Sequence, residues 1–462
     1  AFSGTTGHPS CVSFFEQRLV FAGTTAEPQT LYFSKAGDYE NMTTGTNADD
    51  AMVYTIASNQ VNRIRYLKSV RTLIVGTTGG EFTVSADGTD AAITPTNIVI
   101  KKQSSYGTAN VDAIPAGNAI LFLQKAKRKI RELAYNFDTD GYVAPDLTIL
   151  NDIVTKSGVT EMSYQQEPDS ILWCVRDDGI LAGLTYQRSE NVVAWHRHIF
   201  GGKFDEATIT VTDFANIADA TKIVFTKSDG TTTTFTSATS ATAGKFHNTS
   251  SNNQTATNLK TLIDADSDFT ATVASNVVTI KETSPQATGF LTISSGDTTR
   301  LASTDEGHAV VESAASISGE LTEDEFYIIV KRTVNGSTKR YVEVFANFDF
   351  DETDATDFRF LDSHLTYSGS ATTSLSGLAH LEGQTVSVLA DGSTHADKVV
   401  SSGSISLDRS ATKAVVGLAY DSVLQTMRIE GGAAEGTSKG KTKRISKVVL
   451  RLFETVGVKV GP

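Results

Sequence analysis

The sequence predicts a mainly β fold: an irregular β-propeller with an inserted small β-rich domain holding one helix, then a C-terminal small β-rich domain. Three observations predict it. Apolar runs are short, often alternate with polar residues, and are punctuated throughout by Gly and Thr, the pattern of many short strands. A hairpin unit recurs at about 50-residue intervals. One stretch of about 100 residues with a different composition interrupts that recurrence.

The clearest copy of the hairpin is Ser170–Tyr186. Ile171–Val175 is a short apolar, β-rich run and Ile180–Tyr186 runs back. Asp177-Asp178-Gly179 between them is a turn, because Gly supplies φ > 0 and Asp tolerates it. Apolar cores of the same kind begin at Leu19, Leu73, Ile120, Ile171 and Phe326, in steps of 54, 47, 51 and 155 residues. Each follows a weaker strand: Cys11–Phe15, Val61–Leu67, Val111–Ile114, Val159–Tyr164 and Val310–Ala315. Each precedes a turn and a returning strand: Leu31–Ser34, Glu81–Ser85, Lys129–Tyr135, Ile180–Tyr186 and Lys339–Phe345. Such a period, with three or four strands per repeat, is the sequence form of propeller blades. A single blade cannot bury its apolar face alone, so neighbours must stack.

The long step holds one ordinary period and roughly 105 further residues, and the composition turns rich in Thr, Ser, Asn and Ala between 205 and 304. Strands are expected there at Ala207–Val211, Lys222–Thr226 and Thr232–Thr236, with a Ser228-Asp229-Gly230 turn. Gln254–Asp264 places Ala256, Leu259, Leu262 and Ile263 on one helical face, with Asn252 or Asn253 as a cap. Strands Phe269–Val273 and Val277–Lys281 follow, joined at Ser275-Asn276. Insertions of this kind are tolerated at exposed loop tips. Beyond the fifth hairpin, Leu378–Leu389, Lys398–Val400, Ser404–Leu407, Val415–Gly417, Gln425–Ile429 and Ile445–Phe453 read as a second β domain. The expected division is 1–204 and 305–370 for the propeller, 205–304 for the insert and 371–462 for the C-terminal domain.

A length of 462 residues calls for at least two domains. The 39% hydrophobic and 20% charged fractions are those of a globular chain rather than a disordered one. No run approaches the ~20 apolar residues of a membrane-spanning helix, and the N-terminus does not resemble a signal peptide. The chain begins at Ala1 and ends at Gly461-Pro462 directly beside strand-like sequence, which reads as a fragment of something longer. A net charge of −13 argues against a protein that grips duplex DNA, yet suits a surface past which DNA must slide. Cys11 and Cys174 sit in separate strand-like runs and read as small buried hydrophobes.

The search for chemistry returns little. There is no G-x-S-x-G elbow, Walker loop or H-E-x-x-H helix. Gly76-Thr77-Thr78-Gly79-Gly80 lacks a following Lys-Ser/Thr and reads as a hairpin turn. In Trp195-His196-Arg197-His198 the two histidines share a strand face and could hold a metal, but no third ligand stands at a telling spacing. Asn136-x-Asp138-x-Asp140-Gly141 matches the first half of a calcium loop, yet Leu147 occupies the place of the bidentate Glu. Asp349, Asp351, Glu352, Asp354 and Asp357 form an acidic loop, and the Gly-rich stretch Gly431–Lys443 ends basic. No catalytic, cofactor-binding or metal-binding residue is assigned, and no cofactor is expected.

The stretch from His8-Pro9-Ser10 through Phe14-Phe15-Glu16-Gln17-Arg18-Leu19-Val20-Phe21-Ala22-Gly23-Thr24 resembles the nozzle proteins of short-tailed phages, also called tail tubular protein B. So do Ser34-Lys35-Ala36-Gly37-Asp38-Tyr39-Glu40-Asn41, Gly79–Val84, Gln103–Gly107, Arg131–Tyr135, Gly141–Thr148 and Tyr164–Ser170. The likeness resumes at Ile328–Arg332, Tyr341–Glu343, His380–Gly383, Val388–Gly392 and Lys443–Val448. The order is kept, and the series covers nearly all the chain outside 205–304. The insert resembles a small domain found inside phage tail proteins.

The resemblance implies a non-enzymatic virion component of the phage tail. Such proteins form a homo-hexameric ring below the tail adaptor ring, beside tail fibre or spike proteins. The ring continues the DNA channel, retains the packaged genome and lets double-stranded DNA pass without sequence-specific binding. On that reading Asp349, Asp351, Glu352, Asp354, Asp138 and Asp140 are candidate channel-lining acids that repel duplex DNA from the wall. The alternative is a carbohydrate-binding, host-adhesion propeller. The insert's aromatics are all Phe, with no Trp or Tyr, which fits a core better than a sugar platform.

Overall fold

The computed structural model describes residues 2–58, 61–88, 91–201, 206–227, 230–283, 291–305, 309–319, 322–334, 337–346, 355–420, 422–424, 444–445, 447–452, 458 and 460–461. Two compact units are present, Ala1–Tyr420 and Asp421–Pro462.

Within the first unit the repeating hairpins become five antiparallel sheets. Sheet I contains Cys11–Phe15, Arg18–Ala22, Thr30–Phe33 and Met52–Thr55; sheet II contains Ile64–Ser69, Leu73–Thr77, Gly80–Ala86 and Ile98–Lys102. Sheet III contains Ile114–Ala116, Ala119–Leu123, Ile130–Asn136 and Gly141–Val143; sheet IV contains Val159–Gln165, Ile171–Arg176, Leu181–Gln187 and Val192–His198. Sheet V has three described strands, Val310–Ile317, Glu325–Val334 and Ser337–Val344. Strand order follows chain order in each sheet, and every pairing is between neighbours. That is the up-and-down meander of propeller blades.

The sheets stack in sequence because successive side chains of a strand point to opposite faces. Leu73 and Val75 of sheet II join the core of sheet I, while Ile74 between them faces Ile120 and Phe122 of sheet III. Leu121 and Leu123 of sheet III then pack with Leu172 and Cys174 of sheet IV. Trp173 and Val175 pack with Phe326, Ile328 and Val330 of sheet V. Apolar runs buried on both faces are continuous rather than alternating: Leu73–Thr77 and Ala119–Leu123 are buried at every position. Each of these large side chains contributes about 1.5–3 kcal/mol by leaving water. Cys11 and Cys174 are buried and free, as the small-hydrophobe reading expects.

The turn of the clearest hairpin is as read. Gly179 has φ +79° and donates its N–H to the Arg176 carbonyl at 3.0 Å, and the Asp178 carboxylate pairs with the buried Arg176. A Cβ at position 179 would lie 2.5 Å from Val310 Cγ1, so this turn is also where sheet V closes against sheet IV.

The insert folds around its own core. One sheet holds Glu206–Val211, Phe269–Ala274, Val277–Glu282 and Leu301–Asp305; the other holds Lys222–Thr226, Thr232–Ala238, Phe246–His247 and Thr292–Ser295. Helix Asn252–Ile263 buries Ala256, Leu259 and Ile263 in that core, with Leu262 partly buried at its edge. Its cap is Ser251, not Asn252 or Asn253: the Ser251 hydroxyl accepts from Gln254 N–H at 3.1 Å. Asn252 instead accepts from Phe214 N–H at 2.8 Å and donates to the Thr212 carbonyl at 2.8 Å, tying the helix to the preceding loop.

The C-terminal sheet has the order Asp362–Ser376, Ser404–Leu418, Thr385–Ala390, Ser393–Val399. Its first strand runs across the expected 370/371 boundary. Val415–Gly417 proves to be the end of a 15-residue strand. Gln425–Ile429 lies outside the described residues, and the described residues of Ile445–Phe453 are in no strand. The pattern of the latter is strand-like, but a strand requires a partner edge.

Candidate functional site

The acidic positions singled out from the sequence separate into two groups. Asp349, Asp351, Glu352 and Asp354 lie outside the described residues. Asp357, at the end of the same run, is described, and Lys413 Nζ stands 3.1 and 3.2 Å from its two carboxylate oxygens. Asp138 and Asp140 are exposed on the turn joining the last two strands of sheet III.

That turn is built as a hairpin connection rather than a cation loop. Asn136 Oδ1 accepts from Thr139 N–H at 3.1 Å, and Asp140 donates its N–H to the Phe137 carbonyl at 3.2 Å. Asp140 has φ +46°, a conformation Asp tolerates. Its carboxylate accepts from the Tyr135 hydroxyl at 2.6 Å, which raises the Tyr135 hydroxyl above its usual range. Among the described residues no cluster of His, Cys, Asp or Glu has the geometry of a metal site.

His196 and His198 share a strand face, as expected, but serve different contacts. His196 lies opposite Gly183, and its ring meets Trp173 edge-on at 5.3 Å. Burial, with the neighbouring His198 adding to it, lowers its pKa. His198 Nε2 is 2.7 Å from Asp362 Oδ1, which joins the outermost strand of sheet IV to the first strand of the C-terminal sheet. The other Asp362 oxygen accepts from Gly201 N–H at 3.3 Å. The His198 ring also meets Phe200 at 4.4 Å and Tyr420 at 4.8 Å. Burial raises the Tyr420 hydroxyl, and the Asp362 carboxylate adds to that. Among the described residues, neither ring has a hydroxyl or thiol as hydrogen-bond partner.

A second charged joint lies beside the first. Arg332, buried on sheet V, holds Glu343 at 2.5 Å and also bonds Ser363, whose hydroxyl is 3.1 and 3.0 Å from the two Glu343 oxygens. The Ser363 carbonyl in turn is 2.9 Å from His380 Nε2. Between the two joints opens a cavity of about 370 Å³ lined by Phe200, Glu343, Phe345, Asp357 and Tyr420 among others. Around it Asp362 is matched by His198, Glu343 by Arg332 and Asp357 by Lys413, and the first of these pairs joins sheet IV to the C-terminal sheet. The sequence concealed this joint because His198 and Asp362 are 164 residues apart. The available signal was ionisable residues recurring in otherwise β-rich strands.

Glu81 is a further buried acid missed by the sequence reading. It is fully buried in sheet II, opposite Gly76, and its carboxylate bonds the Ser104 hydroxyl. Burial raises its pKa, and Ser104 partly counters that. Tyr66, also buried, packs its ring over Gly76 where a Cβ would otherwise stand.

No protein-family model matches the chain, and no curated protein matches it. Among solved structures the chain is similar to an auxiliary nutrient binding protein from Bacteroides thetaiotaomicron, at 9% identity and TM-score 0.28, over 89% of this chain and 69% of that one. It is similar to the WD40 domain of Neurospora crassa Pan2 at 9% identity and TM-score 0.28, over 71% and 76% of the two chains. It is likewise similar to the WD40 domain of SCAP from fission yeast at 10% identity and TM-score 0.27, over 89% and 82%. The architecture is an irregular, mainly β propeller, established by the meander order and sequential stacking of the five sheets.

Proposed function

We propose that the chain is a structural component of a short-tailed phage tail, a nozzle subunit. In a ring of copies it lines a channel that retains duplex DNA and lets it pass. The observation that carries this reading is the ordered series of stretches, from His8-Pro9 to Lys443–Val448, that resembles nozzle proteins. Two physical features support it. Five stacked sheets with cores on both faces make a stiff wall, and a net charge of −13 gives that wall the sign that duplex DNA avoids. Exposed acids such as Asp138 and Asp140 keep phosphates hydrated and away from the protein surface.

Electron microscopy of assembled particles tests the assignment, with a six-fold ring around DNA as the expected result. A chain found only as a monomer, and never in the virion, refutes it. Replacing Asp349, Asp351 and Asp354 by Lys in the particle slows ejection if these residues face the channel. Unchanged ejection kinetics remove them from the lining.

A further inference from the structure

The second unit carries a feature that the proposed role leaves unused. Ile445, Val448, Val449, Leu450 and Leu452 are between 48% and 77% exposed, and no described residue of 444–452 pairs in a sheet. The run Arg-Ile-Ser-Lys-Val-Val-Leu-Arg-Leu has neither Gly nor Pro and is rich in strand-forming residues. Exposed apolar residues of strand-forming type gathered in one short stretch mark an interaction site.

Charge indicates the partner. Residues 444–452 hold Arg444, Lys447 and Arg451 and no acid. Residues 421–462 hold eight Lys/Arg and four Asp/Glu, a net of +4, so the chain total of −13 leaves −17 on residues 1–420. A basic strand is therefore drawn to the acidic body of another copy of the same chain.

That body has an open place for a strand. Asp362–Ser376 is an edge of the C-terminal sheet, and no other described strand pairs with its outer side. Proteins usually blunt such edges with Lys, Pro or bulges. From Leu365 to Ser376 this edge has no charged residue and no Pro, and most of its side chains are exposed Ser and Thr. Its blunting consists of register shifts between Asp362 and Leu365, between Ser368 and Thr372 and between Thr372 and Ser374.

We propose that residues 444–452 of one chain add as a strand to the edge at residues 365–376 of a second copy. Main-chain hydrogen bonds supply the affinity, and the basic side chains steer the approach. Strand and edge are different surfaces, so the contact is head-to-tail, the type that closes rings or grows chains. This contact stands on charge and strand pattern whether or not the protein lines a DNA channel.

The test is sedimentation of the full chain over a range of concentrations at low and high salt. Self-association that weakens with salt is expected. Val449→Pro removes a ladder N–H from the incoming strand and weakens association by roughly tenfold or more. Thr373→Lys, at an exposed position of the receiving edge, does the same by placing like charge against the strand. Circular dichroism of both variants stays that of the parent. Mixing the two restores a 1:1 dimer, because one partner keeps a good edge and the other a good strand. A chain that is monomeric at every concentration overturns the proposal. So does association that either variant leaves unchanged, a mixture that stays monomeric, or retention on DNA through 444–452 without self-association.

Discussion

Replacing Trp173 by Ala removes the side chain that joins the part of the propeller before the insert to the part after it. The indole is 5% exposed and stacks on Phe326 of sheet V with ring centres 4.8 Å apart and planes at 19°. It also meets Phe345 and His196, each at 5.3 Å, and donates Nε1–H to Gln165 Oε1 at 3.0 Å. Truncating a buried Trp costs about 3–5 kcal/mol through lost transfer energy and the cavity left behind. Three ring contacts and the orphaned Gln165 Oε1 place this site in the upper half of that range, about 4–5 kcal/mol. Trp173→Phe keeps a ring over Phe326 but loses the N–H bond, and costs on the order of 1–2 kcal/mol. The assay is urea unfolding followed by fluorescence. The chain has two Trp, so in either variant the signal comes from Trp195 alone, whose Nε1–H bonds the Leu147 carbonyl at 2.9 Å between sheets III and IV. The expected result is a lower midpoint for Trp173→Ala, a smaller shift for Trp173→Phe, and early protease cleavage between the insert and sheet V. Equal midpoints for the parent and Trp173→Ala refute the stacking of sheet V on sheet IV as an energetic joint.

Three further predictions follow from the same packing. Burial raises the Glu81 carboxyl above its reference of 4.5, so the folded state binds more protons there and stability declines as pH rises through and above that value. Glu81→Gln flattens this decline in a denaturation series across pH, and an unchanged slope counts against a buried charge. His196 behaves oppositely: burial lowers it below 6.5, so its contribution is present above that pH and is lost as pH falls and the unfolded chain takes up the proton. His196→Asn reduces the acid-side loss, read as a smaller drop in thermal midpoint between neutral and mildly acidic buffer. Gly179→Ala meets a positive φ and a Cβ position 2.5 Å from Val310 Cγ1, and costs about 2–4 kcal/mol from strain and overpacking together; a thermal midpoint equal to the parent's would rule out this close approach.

Much of the fold was legible because it rests on local, periodic signals. The cores beginning at Leu19, Leu73, Ile120, Ile171 and Phe326 each became a sheet strand, since a run of four or five β-rich apolar residues between turns has few other uses. The insert was legible as a break in that period, and its helix as an apolar face. Boundaries slipped where hydrogen bonding decided them. The residue pattern offers Asn252 or Asn253 as the cap, but it is the Ser251 hydroxyl that reaches Gln254 N–H, while Asn252 is occupied by the loop at 212–214. Ile445–Phe453 read as a strand, and the described part of it has the composition of one without a partner.

The sequence by itself determined the strand-rich class, the blade period, the place of the insert and the acidic balance, because spacing and composition act along the chain. Only the tertiary structure decided which charges meet. Asp357 is matched by Lys413, Asp362 by His198, and Glu343 by Arg332. Coulomb attraction and desolvation depend on distances in space, and a period read along the chain holds no information about partners 164 residues apart.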